Sequence, residues 1–119
     1  MPQKALLICD MLNDFIQPGA PLEVPGGRNL IPAIQREMEK ARREGTPIIY
    51  VCDSHGPGDP ELNVWPPHAL KGTPGAEIIP ELQPREEDLL VEKTRYDAFY
   101  NTGLESILRS LGVIDIILT

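Results

Sequence analysis

Two imidazoles and two carboxylates occur within sixteen residues, directly after an apolar run that is typical of a buried strand. They belong to Asp53, His55, Glu61 and His68. Because side chains two positions apart on an extended backbone point the same way, we expect Asp53 and His55 to lie side by side. Prolines stiffen the following loop, which lowers the entropy cost of bringing Glu61 and His68 back to this pair. The spacing therefore makes the four residues candidate ligands of a metal ion.

An alternative interpretation of the same residues stays open on spacing alone. Asp, Ser, His and Gly are ordinary loop residues after a strand, and mixed sets of histidines and carboxylates also arise by chance in polar loops. In that case Asp53 caps a turn, and His55 and His68 are solvated.

Two further charged residues follow apolar runs that are typical of strands. Asp10 comes directly after Lys4–Cys9, and Lys93 ends the run that begins at Asp88. Open α/β sheets place their chemistry at the carboxyl ends of strands, so both side chains are candidates for the same site. The alternative is a capping aspartate and a surface lysine, since lysines at strand ends are usually solvated.

The elements that must position these residues alternate between strand and helix along the chain. Two helices are predicted, one by apolar residues at helical spacing from Arg28 to Glu44 and one by a capping box of Thr102 and Glu105 before a helix that ends at Gly112. Pro- and Gly-rich loops are expected at Asn13–Gly27 and Gly56–Pro84. The predicted strands are Lys4–Cys9, Pro47–Cys52, Asp88–Glu92 and Val113–Leu118. This order predicts an α/β fold with a parallel sheet and right-handed crossovers.

Composition narrows the class of protein. Hydrophobic residues make up 41% and charged residues 24% of the chain, as in soluble globular domains. The net charge of −7 argues against nucleic acid or an anionic membrane as a partner. We see no signal peptide or membrane-spanning run, and two cysteines form no disulfide framework. We therefore expect a cytoplasmic protein.

The 119 residues are expected to form a single domain. The sequence stops at Thr119, just after an apolar strand, although a parallel sheet needs both faces covered. We therefore expect the domain to be truncated at its carboxyl end.

Three segments carry a resemblance to a known family over essentially the whole chain. They are ICDMLNDF at residues 8–15, WPPHALKGTPGAE at residues 65–77 and EKTRYDAFYNTGLESILRSLGV at residues 92–113. Together with the pair Asp53 and His55, they resemble the isochorismatase-like cysteine hydrolases, and most closely the nicotinamidases. The resemblance implies a three-layer α/β/α fold around a parallel sheet, which is incomplete in these residues.

The resemblance also implies an Asp-Lys-Cys triad in which Asp10 and Lys93 are the first two members. The nucleophilic cysteine of the family would follow the next turn, beyond Thr119. Neither Cys9 nor Cys52 replaces it, because alternation points each sulfur away from the neighbouring aspartate, and both are expected to be buried core thiols.

For the metal site, the resemblance implies Asp53, His55 and His68 as ligands and Glu61 as the fourth ligand of some members. Such a set suits a divalent ion, Zn²⁺ or alternatively Fe²⁺ or Mn²⁺.

The implied substrate is a small-molecule carboxamide, nicotinamide being the example, whose flat ring would lie between Phe15, Trp65 and Tyr96. Asp97 stands where the family commonly has a serine, and Arg95 could pair with Asp97 or with a neighbouring chain. Family members often self-associate, so a homo-oligomer is expected. Two alternatives remain: a hydrolase of another substrate, such as isochorismate or N-carbamoylsarcosine, and a non-catalytic protein that binds metal or a partner.

Overall fold

The computed structural model describes residues 3–119. Within this range the chain forms an α/β fold whose sheet has the strand order β3-β2-β1-β4, with every neighbouring pair parallel. The strands are β1 (Lys4–Cys9), β2 (Ile48–Asp53), β3 (Leu89–Lys93) and β4 (Asp115–Leu118). The helices are α1 (Asn13–Ile16), α2 (Ile31–Glu44) and α3 (Leu104–Leu111). No helix of the described residues is long and apolar enough to cross a membrane.

Helices pack on both faces of the sheet and form two separate hydrophobic cores, whereas most residues of β4 are exposed. On one face, Ile34 and Met38 of α2 belong to the same buried cluster as Leu6 of β1 and Tyr50 of β2. On the other face, Leu104 and Leu108 of α3 pack with Leu7, Ile49 and Val91. Strands that are buried on both sides read as continuous apolar runs, which is why β1 and β2 were predictable from sequence. The predicted α/β/α layering is confirmed.

The sequence placed the strands correctly to within two residues, and β1 has the predicted bounds. Strand β2 extends through Asp53 and β3 through Lys93, so both candidate site residues are the last residues of their strands. The predicted helix from Arg28 begins as a 3₁₀ turn at Gly27–Leu30 and becomes α-helical at Ile31, where Pro32 occupies the first turn.

The prediction of loop structure throughout Asn13–Gly27 was wrong at its start, where Asn13–Ile16 forms one helical turn. The amides of Ile16 and Gln17 donate to Leu12 and Asn13. Ile16 is buried in the core on the α2 side, which holds this turn in place. A turn of four residues is too short to show a helical period in the sequence.

The long segment Gly56–Pro84 is more ordered than a structureless loop. It contains three 3₁₀ turns, each of which starts at a proline: Pro60–Asn63, Pro74–Ala76 and Pro80–Leu82. Proline favours the first position of a helical turn because its φ angle is fixed and its missing N–H is not needed there.

The predicted capping box at α3 does not form. Gly103 is the residue before the helix, and Thr102 Oγ1 instead accepts a bond from the amide of Leu104. The carboxylate of Glu105 pairs with Arg109 one turn later rather than folding back to the helix start. An arginine four residues away thus competes for the glutamate that the capping box requires.

Candidate active site

Asp10, Asp53 and Lys93 meet at the carboxyl edge of the sheet. Lys93 Nζ lies 2.5 Å from Asp53 Oδ1 and 3.1 Å from Asp10 Oδ2. Asp10 Oδ1 also accepts a bond of 2.9 Å from the backbone N–H of Asp53. The buried ammonium group of Lys93 therefore bridges Asp10, a predicted catalytic residue, and Asp53, a predicted metal ligand.

The backbone turns sharply at Asp10, which has a φ of +54°. This left-handed conformation is strained for a residue other than glycine, and such strain concentrates at functional sites. It interrupts the alternation of β1 and aims the carboxylate at Lys93.

Burial and neighbouring charges shift the pKa values of Asp10 and Lys93. Burial, and then the negative charge of Asp53, raise the pKa of Asp10 above its ordinary value of 3.8, although Lys93 opposes the shift. For Lys93, burial alone would lower the pKa, but the carboxylates of Asp53 and Asp10 outweigh burial and raise it. The lysine is therefore a cation, and the aspartate is a stronger base than a solvated carboxylate.

Asp53, His55 and His68 form a group that could hold a metal ion. Each offers a donor atom within 4.8 Å of the others, and all three residues are buried. The rings of His55 and His68 meet edge to face with 4.8 Å between their centres. Glu61, the predicted fourth ligand, places Oε2 4.0 Å from His55 Nε2. Because both histidines are buried, the alternative interpretation, in which His55 and His68 are solvated, is wrong.

The hydrogen bonds of the two histidines fit metal ligation. His55 Nδ1 lies 2.8 Å from Asp59 Oδ2, and His68 Nδ1 lies 2.7 Å from the carbonyl oxygen of Pro66. Because a carboxylate and a carbonyl only accept, these contacts favour the neutral tautomer that donates from Nδ1 and keeps its lone pair on Nε2. His55 Nε2 is buried without a hydrogen-bond partner among the described residues. A divalent cation would satisfy this atom, and the residues present therefore fit the ion.

Asp59 and Arg95 belong to this site although the sequence did not indicate either. Asp59 contacts His55, and Arg95 Nη1 donates to Asp59 Oδ1 at 3.2 Å rather than to Asp97 or another chain. The hydrogen bond from His55 is the main cause that lowers the pKa of Asp59. Asp97 accepts a bond from the amide of Phe99 within a turn. Only the spacing of four residues between His55 and Asp59 could have indicated their contact from the sequence. Outside a helix, however, this spacing does not bring two side chains together.

A second support holds His68 from the α1 side. The amide of Ala69, a buried residue with a φ of +45°, donates to Asp14 Oδ2 at 2.8 Å. The backbone of Gly75 passes so close to this carboxylate that a Cβ there would lie 2.1 Å from Asp14 Oδ2. Gly75 therefore leaves the space in which Asp14 fixes the residue next to His68.

A cavity of about 520 Å³ opens beside these groups. Its wall contains all of the predicted site residues except His55, which is fully buried. Apolar residues that the sequence did not single out also line it, among them Leu30 of the 3₁₀ turn Gly27–Leu30 and Leu22 and Val24 of the loop before that turn.

Of the three predicted aromatic residues, Phe15 lies 5.7 Å from the His68 ring, and Trp65 Nε1 donates to the hydroxyl of Tyr96 at 2.7 Å. Trp65 and Tyr96 are exposed at the cavity rim.

The two cysteines differ in their surroundings. Cys52 is buried in the core, as predicted, and burial is the main cause that raises its pKa to about 12. Cys9 is only half-buried and lines the cavity, so the prediction of a core thiol was wrong for this residue. Its place at the end of β1, next to the strained turn at Asp10, exposes it. Burial, and then the charge of Asp10, raise its pKa as well.

Comparison with known proteins identifies the family. A sequence model described as the isochorismatase domain matches residues 4–119. The chain belongs to the isochorismatase family. A probable inactive nicotinamidase of Arabidopsis thaliana is 36% identical over 124 residues, which cover 96% of this chain and 63% of that protein. The chain thus spans less than two thirds of the length of this relative.

Solved structures of similar proteins agree with the fold. The N-carbamoylsarcosine amidase of Thermoplasma acidophilum superposes with a TM-score of 0.90 at 39% identity, covering 99% of this chain and 66% of that one. The pyrazinamidase of Pyrococcus horikoshii, solved in complex with zinc, gives a TM-score of 0.89 at 31% identity, covering 98% of this chain and 69% of that one. The predicted resemblance and fold class are confirmed.

Proposed function

We propose that the chain provides the metal site and the Asp-Lys pair of a cysteine amidohydrolase that converts nicotinamide to nicotinate and ammonia. One observation carries this proposal: the candidate metal ligands Asp53, His55 and His68 are joined to Asp10 through Lys93, and both groups lie beside the same cavity. The resemblance assigns the nucleophile to a cysteine outside these 119 residues. The zinc-bound pyrazinamidase, whose name indicates a related ring carboxamide, supports this substrate class.

Asp10 would act as the proton shuttle. Its raised pKa suits a carboxylate that takes the proton of the cysteine thiol, after which the thiolate forms a C–S bond with the amide carbon. When the C–N bond breaks, Asp10 returns the proton to the nitrogen, and ammonia leaves. Water then attacks the thioester, the C–S bond breaks, and Asp10 passes the water proton back to the cysteine. Lys93 keeps the carboxylate oriented and favours the thiolate electrostatically.

The metal ligands would position the substrate. Asp53, His55 and His68, with Glu61 nearby, would hold a divalent ion, which when bound supplies an electrophilic site for the ring nitrogen of a pyridine carboxamide. Zinc is the first choice because a zinc complex of a relative is known. Phe15 lies beside His68 and would contact one face of the ring, and Trp65 and Tyr96 would close the rim.

A second candidate is an amidohydrolase of the same fold that acts on a different amide. The N-carbamoylsarcosine amidase is 39% identical to the chain, which favours this reading over a non-amidase function. A third candidate, metal binding without catalysis, is favoured by the relative that is described as a probable inactive nicotinamidase.

Two variants test the proposal separately. In a chain that includes the implied cysteine, Asp10→Asn should abolish ammonia release from nicotinamide while the bound zinc, measured by mass spectrometry, stays at the wild-type level. His55→Gln should lose zinc and ammonia release together. Full turnover of nicotinamide by a zinc-free enzyme would refute the positioning role of the ion. Ammonia release from N-carbamoylsarcosine but not from nicotinamide would establish the second candidate, and release from neither amide by a zinc-loaded enzyme would favour the third.

We also propose that the protein self-associates, as its resemblance implies. Tyr96, Phe99 and Tyr100 are exposed aromatic residues of one loop and would suit an interface. The molar mass in solution, measured by light scattering, tests this proposal, and a mass of one chain at micromolar concentration would refute it.

A further inference from the structure

The carboxylate of Asp59 is held in one orientation by three donors. Its Oδ1 accepts from the amide of Glu61 at 2.9 Å and from Arg95 at 3.2 Å, and its Oδ2 faces His55 Nδ1 at 2.8 Å. The side chain is only 5% exposed, and that of His55 is fully buried. Water therefore does not compete for the bond between them, and the two oxygens cannot exchange roles freely.

This fixed orientation determines which nitrogen of His55 carries the proton. A neutral imidazole has one N–H and one lone pair, so a carboxylate at Nδ1 leaves the lone pair on Nε2. Nε2 is the atom that lacks a partner and that lies 3.6 Å from Asp53 Oδ2. The opposite tautomer would point an N–H at the other metal ligands and could not bind a cation.

We propose that Asp59 is a positioning residue that fixes the Nδ1–H tautomer of His55 and thereby makes Nε2 a metal ligand, with Arg95 holding the orientation of Asp59. This role rests on the metal site of the proposed function. It gives a reason for a carboxylate side chain with little exposure to lie behind a candidate ligand, and for the loop after β3 to reach back to the loop after β2.

The substitution Asp59→Asn has a specific consequence. The carbonyl oxygen of the asparagine would stay at Oδ1, where the donors of Glu61 and Arg95 require an acceptor. Its NH₂ group would then face His55 Nδ1, and because two donors repel, the imidazole would move its proton to Nε2. The substitution Asp59→Ala removes the acceptor without imposing the wrong tautomer. We therefore expect zinc affinity to fall by about 10- to 100-fold in Asp59→Asn and by less in Asp59→Ala.

A purely structural role predicts the reverse order, because alanine removes more contacts than asparagine does. Asp88→Asn is the matched control. Asp88 is also a buried carboxylate, with a side chain 2% exposed, that accepts from an arginine, Arg42, and from a backbone amide, that of Arg85, but it contacts no candidate ligand. Asp88→Asn should change zinc affinity by less than about twofold, whatever it does to stability.

The experiment uses the chain that includes the implied cysteine and has two readouts. Titration calorimetry with zinc gives the affinities, and long-range ¹H–¹⁵N spectra of the zinc-free protein show which nitrogen of His55 is protonated. A proton on Nδ1 in the wild type, a proton on Nε2 in Asp59→Asn and the affinity order wild type, Ala, Asn support the proposal. A wild-type proton on Nε2, or a larger loss of affinity in Asp59→Ala than in Asp59→Asn, would overturn it. If the wild-type chain bound no zinc, the proposed function would lose its metal, whereas the His55 proton position would still decide the role of Asp59.

Discussion

Replacing Lys93 by methionine tests the buried network that joins the two halves of the site. The Lys93 side chain is 5% exposed and that of Asp53 is 11% exposed, so their contact of 2.5 Å is almost fully desolvated. Removing one partner of such a pair costs about 3–5 kcal/mol, because the other charge stays buried without compensation. The contact with Asp10, whose side chain is 32% exposed, adds only about 1 kcal/mol or less. We therefore expect the free energy of unfolding of the metal-free protein to fall by about 3–5 kcal/mol at pH 7.

The pH dependence of this loss identifies its cause. Without the ammonium group, nothing offsets the burial of Asp10 and the negative charge of Asp53 beside it, so the pKa of Asp10 rises further and the loss should shrink as the pH falls towards about 4. In the wild type, the raised pKa of Lys93 keeps its contribution intact until the pH exceeds 10.5. Urea unfolding followed by circular dichroism, with a chelator present, measures these values. The total free energy of unfolding of a small domain is only about 5–15 kcal/mol, so the loss in Lys93→Met is large enough to prevent folding. The double variant Lys93→Met/Asp53→Asn, which removes both charges, is therefore measured as well, and it should regain much of the lost stability. A pH-independent loss below about 1 kcal/mol would refute the reasoning.

Three further substitutions or reactions probe other parts of the site. Asp10→Asn should raise the free energy of unfolding at pH 7, because a raised pKa means that the ionised carboxylate destabilises the folded state. This gain in stability should vanish below pH 3.8, and a loss of stability at pH 7 would contradict the prediction. Gly75→Ala should cost about 1–3 kcal/mol by displacing Asp14 from a buried amide, whereas Gly58→Ala, where a Cβ meets nothing within 4 Å, should cost about 0.5 kcal/mol or less; equal unfolding midpoints would contradict this. Cys52 in the native protein at pH 8 should react with iodoacetamide about a thousandfold more slowly than a thiol of pKa 9, as followed by mass spectrometry, and labelling at the rate of the unfolded chain would contradict its burial.

The sequence predicted well those features that depend on local pattern. Strand β1 has the predicted bounds because its side chains are buried on both faces and form one apolar run. The convergence of Asp53 and His55 followed from their spacing of two, which the end of a strand preserves. Asp10 and Lys93 were indicated by their place at strand ends, where a parallel sheet gathers its polar side chains.

Features that depend on competition between alternative partners were not predictable in this way. Arg95 had a near acid in Asp97, but the folded chain pairs it with Asp59, which is 36 positions away. Glu105 matched a capping box, and Arg109 took its carboxylate instead. The tertiary arrangement decided the partner of Arg95, whereas two local contacts competed for Glu105, and in both cases the alternatives differ by less than about 1 kcal/mol.

The loop after β3 explains why the site must be considered as one unit. Lys93, the last residue of β3, and two residues of the loop that follows it each reach a different residue at the end of β2 or in the loop after it. Lys93 contacts the candidate ligand Asp53, Arg95 contacts Asp59 behind the candidate ligand His55, and Tyr96 accepts a bond from Trp65 at the cavity rim. The distances are 2.5, 3.2 and 2.7 Å. A displacement of this loop would therefore disturb the proposed catalytic pair, the proposed tautomer of His55 and the wall of the cavity at the same time. Substitutions within it should not have additive effects, because they share partners and a backbone segment. The lysine that contacts the proposed proton shuttle is thus also part of the structure that holds the candidate metal ligands.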